Sequence, residues 1–295
     1  MDNIKAKLDK IVSSTENVDE LYLIFDSIKD YSLPLIVFYI EAGASLIRQR
    51  INESGKYYST TSSLSYPPIT APPKYGRANI PGHPMFYGCA FPMDSLAPDP
   101  RIIAILETSD FAKDEETIGV ERFTCSRWDV IEKMKLLSLP FFENYQYAIN
   151  DILQIQRDWN NEIQKVYINR GAIELVEYMS TEMAKKISND NDYFKIANFV
   201  YYILYINEKT KIFDGLIYPS VPAKGDGFNV VLKPEVVDKK LQFGVASLCY
   251  LVKNKMEARV DMINHSVRVS EDGFITYETE KDFDENLYKK MLFVN

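Results

Sequence analysis

The sequence has few of the residues that build metal sites and disulfides. Its 295 residues include three cysteines and two histidines, and no two cysteines form a CxxC pair. A Cys/His zinc site is therefore not expected. An odd and sparse set of cysteines is typical of a reducing compartment. We expect no bound metal and three buried free thiols, at Cys89, Cys125 and Cys249.

Long apolar segments are also missing. The densest apolar run is LPLIVFYI at 33–40, which is shorter than the roughly 20 residues that a helix needs to span a bilayer. The N-terminus is charged and amphipathic and lacks the pattern of a signal peptide. We expect a soluble cytoplasmic protein that does not associate with membranes.

Basic residues are fewer than acidic ones. Lys and Arg number 34 against 42 Asp and Glu, for a net charge of −8. This balance argues against broad contact with a nucleic-acid backbone, although it allows a local basic pocket for a phosphorylated small molecule. Length and an apolar content of 46% favour one globular core with a helical annex.

Several common catalytic motifs are absent. The sequence has no GxxxxGK[ST] and no GxGxxG after a strand, which leaves a P-loop and a Rossmann dinucleotide site without support. It also lacks GxSxG and HExxH, the signatures of many hydrolases and zinc proteases.

Apolar spacing predicts the order of the elements. Residues 3–30 read as two helices, with Ser14 or Thr15 capping the second, and 46–51 reads as a short strand. The stretch 52–84 is rich in Ser, Pro and Gly and reads as a long loop, which in a compact domain is more often functional than idle.

The rest of the chain alternates between strand and helix patterns. MFYGCAF reads as a strand, and RIIAILETS as a helical turn or a strand. Residues 127–207 read as mainly helical. Strand patterns then follow in IFDGLIYPSV, FNVVLKP, LQFGVASLCYLVKN, ARVDMINHSVRVS and GFITYETE. The predicted class is α+β.

Isolated polar residues stand in or beside these apolar segments. A carboxylate directly after the run IIAIL is costly to bury without a partner. Taken singly, each residue has an ordinary structural explanation at the end of a strand. The set consists of Arg48, Arg50, Arg77, Asn79, Tyr87, Glu107 and Ser220.

In this order, the residues resemble a known family. GRANIPGHPMFYGCA at 76–90 is similar to the signature of the RES domain family, a GR-x-N-x-x-G-x-P segment that leads into a tyrosine-bearing strand. RQR at 48–50 resembles the paired arginines of longer members, and IIAILETS the segment that carries the family glutamate. FDGLIYPSV and GDGFNVVLKP resemble its DGI-x-YPS block and downstream Asn. The resemblance covers about 48–51, 74–110 and 212–234.

The resemblance implies a fold like that of ADP-ribosyltransferases, with a mixed β core around a cleft. It also implies NAD+ as the substrate, because characterised RES proteins degrade NAD+ as toxins of toxin–antitoxin pairs. The family's arginine, tyrosine, glutamate and serine fall on Arg77, Tyr87, Glu107 and Ser220. The upstream arginine falls on Arg48 or Arg50. Asn79 and Asn229 join the expected NAD+-binding set.

Each residue type suits a part of NAD+. Breaking the bond between nicotinamide and ribose develops positive charge on the ribose, which Glu107 would stabilise. Arg77, with one of the upstream arginines, would bind the pyrophosphate. Tyr87 would offer a ring face to nicotinamide, and Ser220 would bind the ribose or amide or hold Glu107. Asn79 would anchor its loop.

The pattern also has departures. Tyr87 and Glu107 are 20 positions apart (107 − 87), which exceeds the family's usual spacing because of a Pro-rich insert at 92–100. His83 replaces the usual Ile or Val. The predicted domains are a helical extension at 1–44 and a RES-like domain at 45–295, with a mainly helical insertion at about 127–207.

Several functions stay open. The expected activity is that of an NAD+ glycohydrolase or phosphorylase, acting as a toxin. One alternative is an ADP-ribosyltransferase that modifies a protein. Another is a catalytically silent module that binds NAD+ or a partner, and a third is an unrelated α+β protein. An antitoxin and a second copy of the chain are the possible protein partners.

Overall fold

The computed structural model describes residues 3–12, 14, 17–53, 57–92, 97–141, 149–165, 169–185, 189–254 and 257–278. In these ranges the protein is an α+β molecule with one mixed sheet, as the patterns predicted. The strands are β1 (Ile36–Ile40), β2 (Ser45–Ile51), β3 (Phe86–Ala90), β4 (Gly119–Val130), β5 (Met134–Ser138), β6 (Gly215–Pro219), β7 (Phe228–Leu232), β8 (Leu241–Lys253), β9 (Ala258–Val269) and β10 (Ile275–Tyr277).

Along the chain, two helices precede the first strand, and the other helices lie between strands. They are α1 (Ile4–Lys10), α2 (Val18–Asp26), α3 (Pro100–Thr108), α4 (Asp110–Lys113), α5 (Asn150–Ile163), α6 (Arg170–Ala184), α7 (Phe194–Tyr201) and α8 (Pro234–Lys240). Short turns of other helix types occupy Ser62–Leu64, Asp190–Tyr193 and Tyr202–Ile206. None of the helices in the described ranges is at once long and apolar enough to cross a membrane.

The order of the sheet is β1-β5-β6-β7-β3-β2-β4-β8-β9-β10. All neighbours are antiparallel except β5 and β6. The contact between β2 and β3 is short, because only Leu46 with Ala90 and Ile47 with Cys89 are paired. By contrast, β2 pairs with β4 over its full length. The sheet is therefore open between β2 and β3 beyond these two pairs.

The apolar core lies on both faces of the sheet. On one face, α1, α2, α6 and α7 pack against residues of β6 and β7 such as Leu216 and Val231. On the other face, α5 and α8 pack against the adjacent residues of the same two strands, such as Ile217 and Val230, whose side chains point the opposite way. This alternation follows from the two-residue period of a strand. A third, smaller apolar cluster forms at α3, where Ile103 packs on Ile47 of β2.

The helical prediction for 127–207 is wrong at its start. Residues 127–130 and 134–138 lie in β4 and β5, and the first helix of this stretch among the described residues begins at Asn150. WDVIEKMKLL fits a helical period but also alternates, with Trp128, Val130, Met134 and Leu136 all buried. Short apolar runs are ambiguous between the two periods, and sheet pairing decides in favour of strands here.

The N-terminal segment also differs in detail from its prediction. The segment predicted as a helical extension, 1–44, contains α1 and α2 but also β1, an edge strand paired with β5. The cap predicted for α2 is wrong: Asn17 occupies the N-cap position and makes no capping bond through its side chain. Ser14 lies outside the helix, and Thr15 lies outside the described residues.

All three cysteines are free thiols. Cys89 and Cys249 are buried as predicted, while Cys125 is only half-buried. Burial raises the pKa of Cys125 and of Cys249 to about 12 and that of Cys89 well above its usual range. The thiols are therefore protonated at neutral pH and are poor nucleophiles.

Candidate functional site

A cleft of about 870 Å³ opens where β2 and β3 diverge. Its walls come from β2, β3, α3 and the second half of the long loop that precedes β3. This volume lies within the roughly 300–1,000 Å³ of small-molecule sites. The long loop predicted at 52–84 is thus part of the wall of a cleft.

The wall at Gly76–Asn79 is a tight turn. The Gly76 amide donates to the Asn79 carbonyl at 2.9 Å. A Cβ atom on Gly76 would lie 2.3 Å from Asn79 Oδ1 and 3.0 Å from the Tyr87 hydroxyl. Glycine is therefore needed here because other groups approach its backbone closely.

We expect Gly76→Ala to lower the free energy of unfolding by about 1–3 kcal/mol, since the added methyl group must displace Asn79 and its bond to Tyr87. Urea denaturation measures this. Ile69→Ala is the control, because Ile69 lines the same cleft but is 74% exposed, and its loss should change stability by no more than about 0.5 kcal/mol. A Gly76→Ala protein as stable as the wild type would contradict the tight turn.

Tyr87 ties this turn to β3. Its hydroxyl donates to Asn79 Oδ1 at 2.8 Å and accepts from the Ala78 amide at 3.0 Å. Asn79 also donates to the Lys74 carbonyl at 3.2 Å, which is the loop-anchoring contact expected for it. Burial raises the pKa of Tyr87 above its usual range. The hydroxyl is thus neutral and engaged in the loop, while the residue lines the cleft.

Arg77 lies in the cleft wall but points its charge at a helix end. Its Nη1 donates to the Met183 carbonyl and, at 3.2 Å, to the Lys185 carbonyl, both at the C-terminal end of α6. The guanidinium also stands 5.2 Å from the Tyr193 ring centre. A cation satisfies the free carbonyls at such an end. A phosphate-binding role for Arg77 would require it to share or exchange these contacts.

Arg48 and Arg50 project from one face of β2 at the opening of the sheet, and both line the cleft. Arg48 Nη1 donates to the Tyr87 carbonyl at 2.5 Å and so bridges the gap between β2 and β3. Burial, and next the neighbouring Arg50, lower the pKa of Arg48 to about 10. Arg50 donates to the Ser63 carbonyl at 2.5 Å. With a pKa of about 10, Arg48 is cationic at neutral pH.

Glu107 occupies the last turn of α3, so the helical alternative for RIIAILETS is correct and the strand is not. Its Oε1 accepts from Ser220 Oγ at 2.6 Å and from Asn229 Nδ2 at 2.6 Å. Both donors are buried, Ser220 fully and Asn229 to all but 5%. The carboxylate is therefore fixed by two short bonds to a single oxygen.

The helix also explains how the chain accommodates the long spacing between Tyr87 and Glu107. Asp99 caps α3 by accepting from the Arg101 amide at 2.8 Å, and Pro100 begins the helix. Residues 93–96 of the predicted insert lie outside the described residues. Packing of Ile103 on β2 then directs Glu107 into the cleft.

Tyr218 is a residue that the sequence reasoning missed. It is buried, lines the cleft, and its pKa is raised well above its usual range by burial and by the charge of Glu107. It lies two positions before Ser220, so strand alternation places it on the same face. The two-residue period of the strand is thus the sequence signal that could have pointed to Tyr218. Gln49 and Tyr193 also line the cleft without having been predicted.

Most of the predicted residues share this one cleft, and Ser220 lies behind it as a partner of Glu107. Those that line it are Arg48, Arg50, Arg77, Asn79, Tyr87, Glu107 and Asn229. Across the described ranges, no three His, Cys, Asp or Glu side chains cluster closely enough to hold a metal ion.

No protein-family model matches this chain, and no curated protein matches its sequence. The residues of the cleft and their geometry therefore carry the functional argument.

Proposed function

We propose that the protein binds NAD+ in this cleft and cleaves the bond between nicotinamide and ribose, with water or phosphate as the acceptor. The observation that carries the proposal is the Glu107 carboxylate, held by Ser220 and Asn229 through one oxygen in a cleft lined by arginines. The resemblance to RES domains supports the same substrate.

In the reaction, the bond between ribose C1 and the nicotinamide nitrogen breaks. Its electron pair moves to the nitrogen, so the cationic ring leaves as neutral nicotinamide. The oxocarbenium character of the ribose is stabilised by the nearby Glu107 carboxylate, whose position is fixed before the charge develops. Water then adds its oxygen to C1 and loses a proton, which gives ADP-ribose. Phosphate in place of water would give a sugar phosphate.

Positive charge in the cleft suits the pyrophosphate. Arg48 and Arg50 carry guanidinium groups on β2, and such planar forks match phosphate oxygens. Arg48 supplies a further donor, since its buried Nε has no hydrogen-bond partner within the described part of the chain. We assign the pyrophosphate to this pair rather than to Arg77, whose Nη1 already donates to two carbonyls at the end of α6.

We also propose that the fold is of the ADP-ribosyltransferase type and that the chain is a RES domain. The short pairing between β2 and β3, with the cleft at the opening, supports this assignment.

Because NAD+ cleavage would harm the cell that makes the enzyme, we further propose a cytoplasmic toxin restrained by an antitoxin protein. Growth arrest on expression of the wild type, relieved by Glu107→Gln, is the expected result.

Product analysis tests the proposed reaction and its acceptor. Purified protein is incubated with NAD+, with and without phosphate, and the products are separated by chromatography and weighed by mass spectrometry. ADP-ribose indicates hydrolysis, a phosphorylated ADP-ribose indicates phosphorolysis, and a mass increase on protein indicates ADP-ribosylation. We expect free nicotinamide and one of the first two products.

One observation favours a second candidate, a silent module that binds NAD+. The hydroxyl of Tyr87 and the guanidinium of Arg77 already bond to the chain itself. Saturable NAD+ binding without release of nicotinamide would select that candidate and reject the enzyme.

A further inference from the structure

Gln49, in the middle of β2, has a buried side-chain amide. Its side chain is 4% exposed, and the residue lines the cleft. Neither Nε2 nor Oε1 has a hydrogen-bond partner within the described ranges. Burying an amide without partners is unfavourable, and such groups in folded proteins are rare.

Two other buried amides among the described residues do have hydrogen-bond partners. Asn198 donates to the Phe194 carbonyl at 2.8 Å and accepts from the Tyr22 hydroxyl at 3.1 Å. Asn229 donates to Glu107 and accepts from the Cys89 thiol at 3.4 Å. Gln49 is thus an exception, and it occurs in the wall of the cleft.

The strand places Gln49 on the same side of the sheet as Glu107. Ile47 and Ile51, two positions before and after it, both pack in clusters with residues of α3. By alternation, Gln49 lies on the face that α3 covers, whereas its neighbours Arg48 and Arg50 lie on the other. This helix carries Glu107 into the cleft.

We propose that the Gln49 side chain recognises a primary carboxamide of the ligand, which is the carboxamide of the nicotinamide ring. This inference rests on the proposed function and adds a specificity-determining residue to it. An amide side chain and a carboxamide bond twice: Nε2 donates to the ligand oxygen, and Oε1 accepts from the ligand N–H. The neighbouring arginines have donors only, so they cannot accept from that N–H.

This pairing predicts discrimination against a carboxylate. A site built to accept from a ligand N–H rejects an analogue without it, because the site's own acceptor is left unpaired. Nicotinic acid adenine dinucleotide differs from NAD+ only in having a carboxylate for the carboxamide. Its carboxylate can still accept a hydrogen bond from Gln49 Nε2, but the second carboxylate oxygen, which is negatively charged, would face Gln49 Oε1.

Calorimetric titration of both dinucleotides tests the inference, with Glu107→Gln as the background so that NAD+ is not consumed. We expect NAD+ to bind at least about tenfold more tightly than the carboxylate analogue. With Gln49→Met added, NAD+ binding should weaken by about tenfold to a hundredfold and the preference should disappear. Thermal unfolding should show no loss of stability, since methionine fills similar space without an unpaired amide.

Gln156→Met is the matched control. Gln156, on α5 outside the cleft, donates to the Phe141 carbonyl. Its replacement should lower the melting temperature and leave both affinities unchanged. Equal binding of the two dinucleotides without the Gln49 change, or an unchanged preference with it, would overturn the inference while NAD+ binding persists. Binding of neither dinucleotide would overturn the proposed function and this inference with it.

Discussion

Glu107→Gln should lower the rate of nicotinamide release from NAD+ by at least about a hundredfold, because the variant loses the negative charge that stabilises the developing cation. The fold should persist. Glutamine keeps a carbonyl oxygen at the Oε1 position, which can still accept from Ser220 and Asn229. The measurement is the steady-state rate of nicotinamide release, with circular dichroism as the check on folding.

Glu53→Gln provides the matched control for this prediction. Glu53 is a second carboxylate that lines the cleft, but it is exposed. Its change should alter the rate by no more than a few-fold, since an exposed charge is screened by solvent. Equal losses from the two changes would mean that general negative charge in the cleft matters rather than the fixed carboxylate.

The second large effect concerns the arginine pair. Arg48→Met should weaken NAD+ binding by about a hundredfold, because the pyrophosphate loses charge-assisted bonds from the half-buried guanidinium that bridges β2 and β3. Stability should change by no more than about 1 kcal/mol, since losing the bond to the Tyr87 carbonyl is offset by relief of a buried charge. Equilibrium binding and urea denaturation measure the two effects.

Arg50→Met distinguishes the contributions of Arg48 and Arg50 to NAD+ binding. Arg50 bonds to the loop at Ser63 and stands 4.8 Å from the Tyr58 ring centre, so its loss should weaken NAD+ binding by less than about tenfold. If Arg50→Met proves the more damaging change, the upstream arginine of the resemblance falls on Arg50, and our assignment to Arg48 is wrong.

Much of the fold is predictable because its strands carry a clear local signal. The segments at β3 and at β6–β10 are rich in β-branched and aromatic residues bounded by turns, and the structure has strands in each. Residues 127–138 fail because their apolar positions satisfy two periods, and long-range pairing of β4 with β2 and β8 selects one. Local sequence contains no information about that pairing.

The candidate site was likewise predictable only in part. The resemblance to RES domains was sufficient to nominate Glu107 and Ser220, which meet across 113 positions. The orientation of Arg77 was not predictable, because its partner is the end of a helix 106 positions away. Nor could it be predicted that the Gln49 side chain has no hydrogen-bond partner among the residues the structure describes, since burial on β2 depends on how α3 packs there.

The most direct test of the account is a proton NMR time course of NAD+ with the purified wild-type protein. If the protein cleaves NAD+, free nicotinamide resonances grow in many-fold molar excess over the protein as the NAD+ resonances decline, and Glu107→Gln abolishes the growth. NAD+ resonances that keep their full intensity while no nicotinamide resonances appear, whether or not binding broadens the lines, would contradict the account.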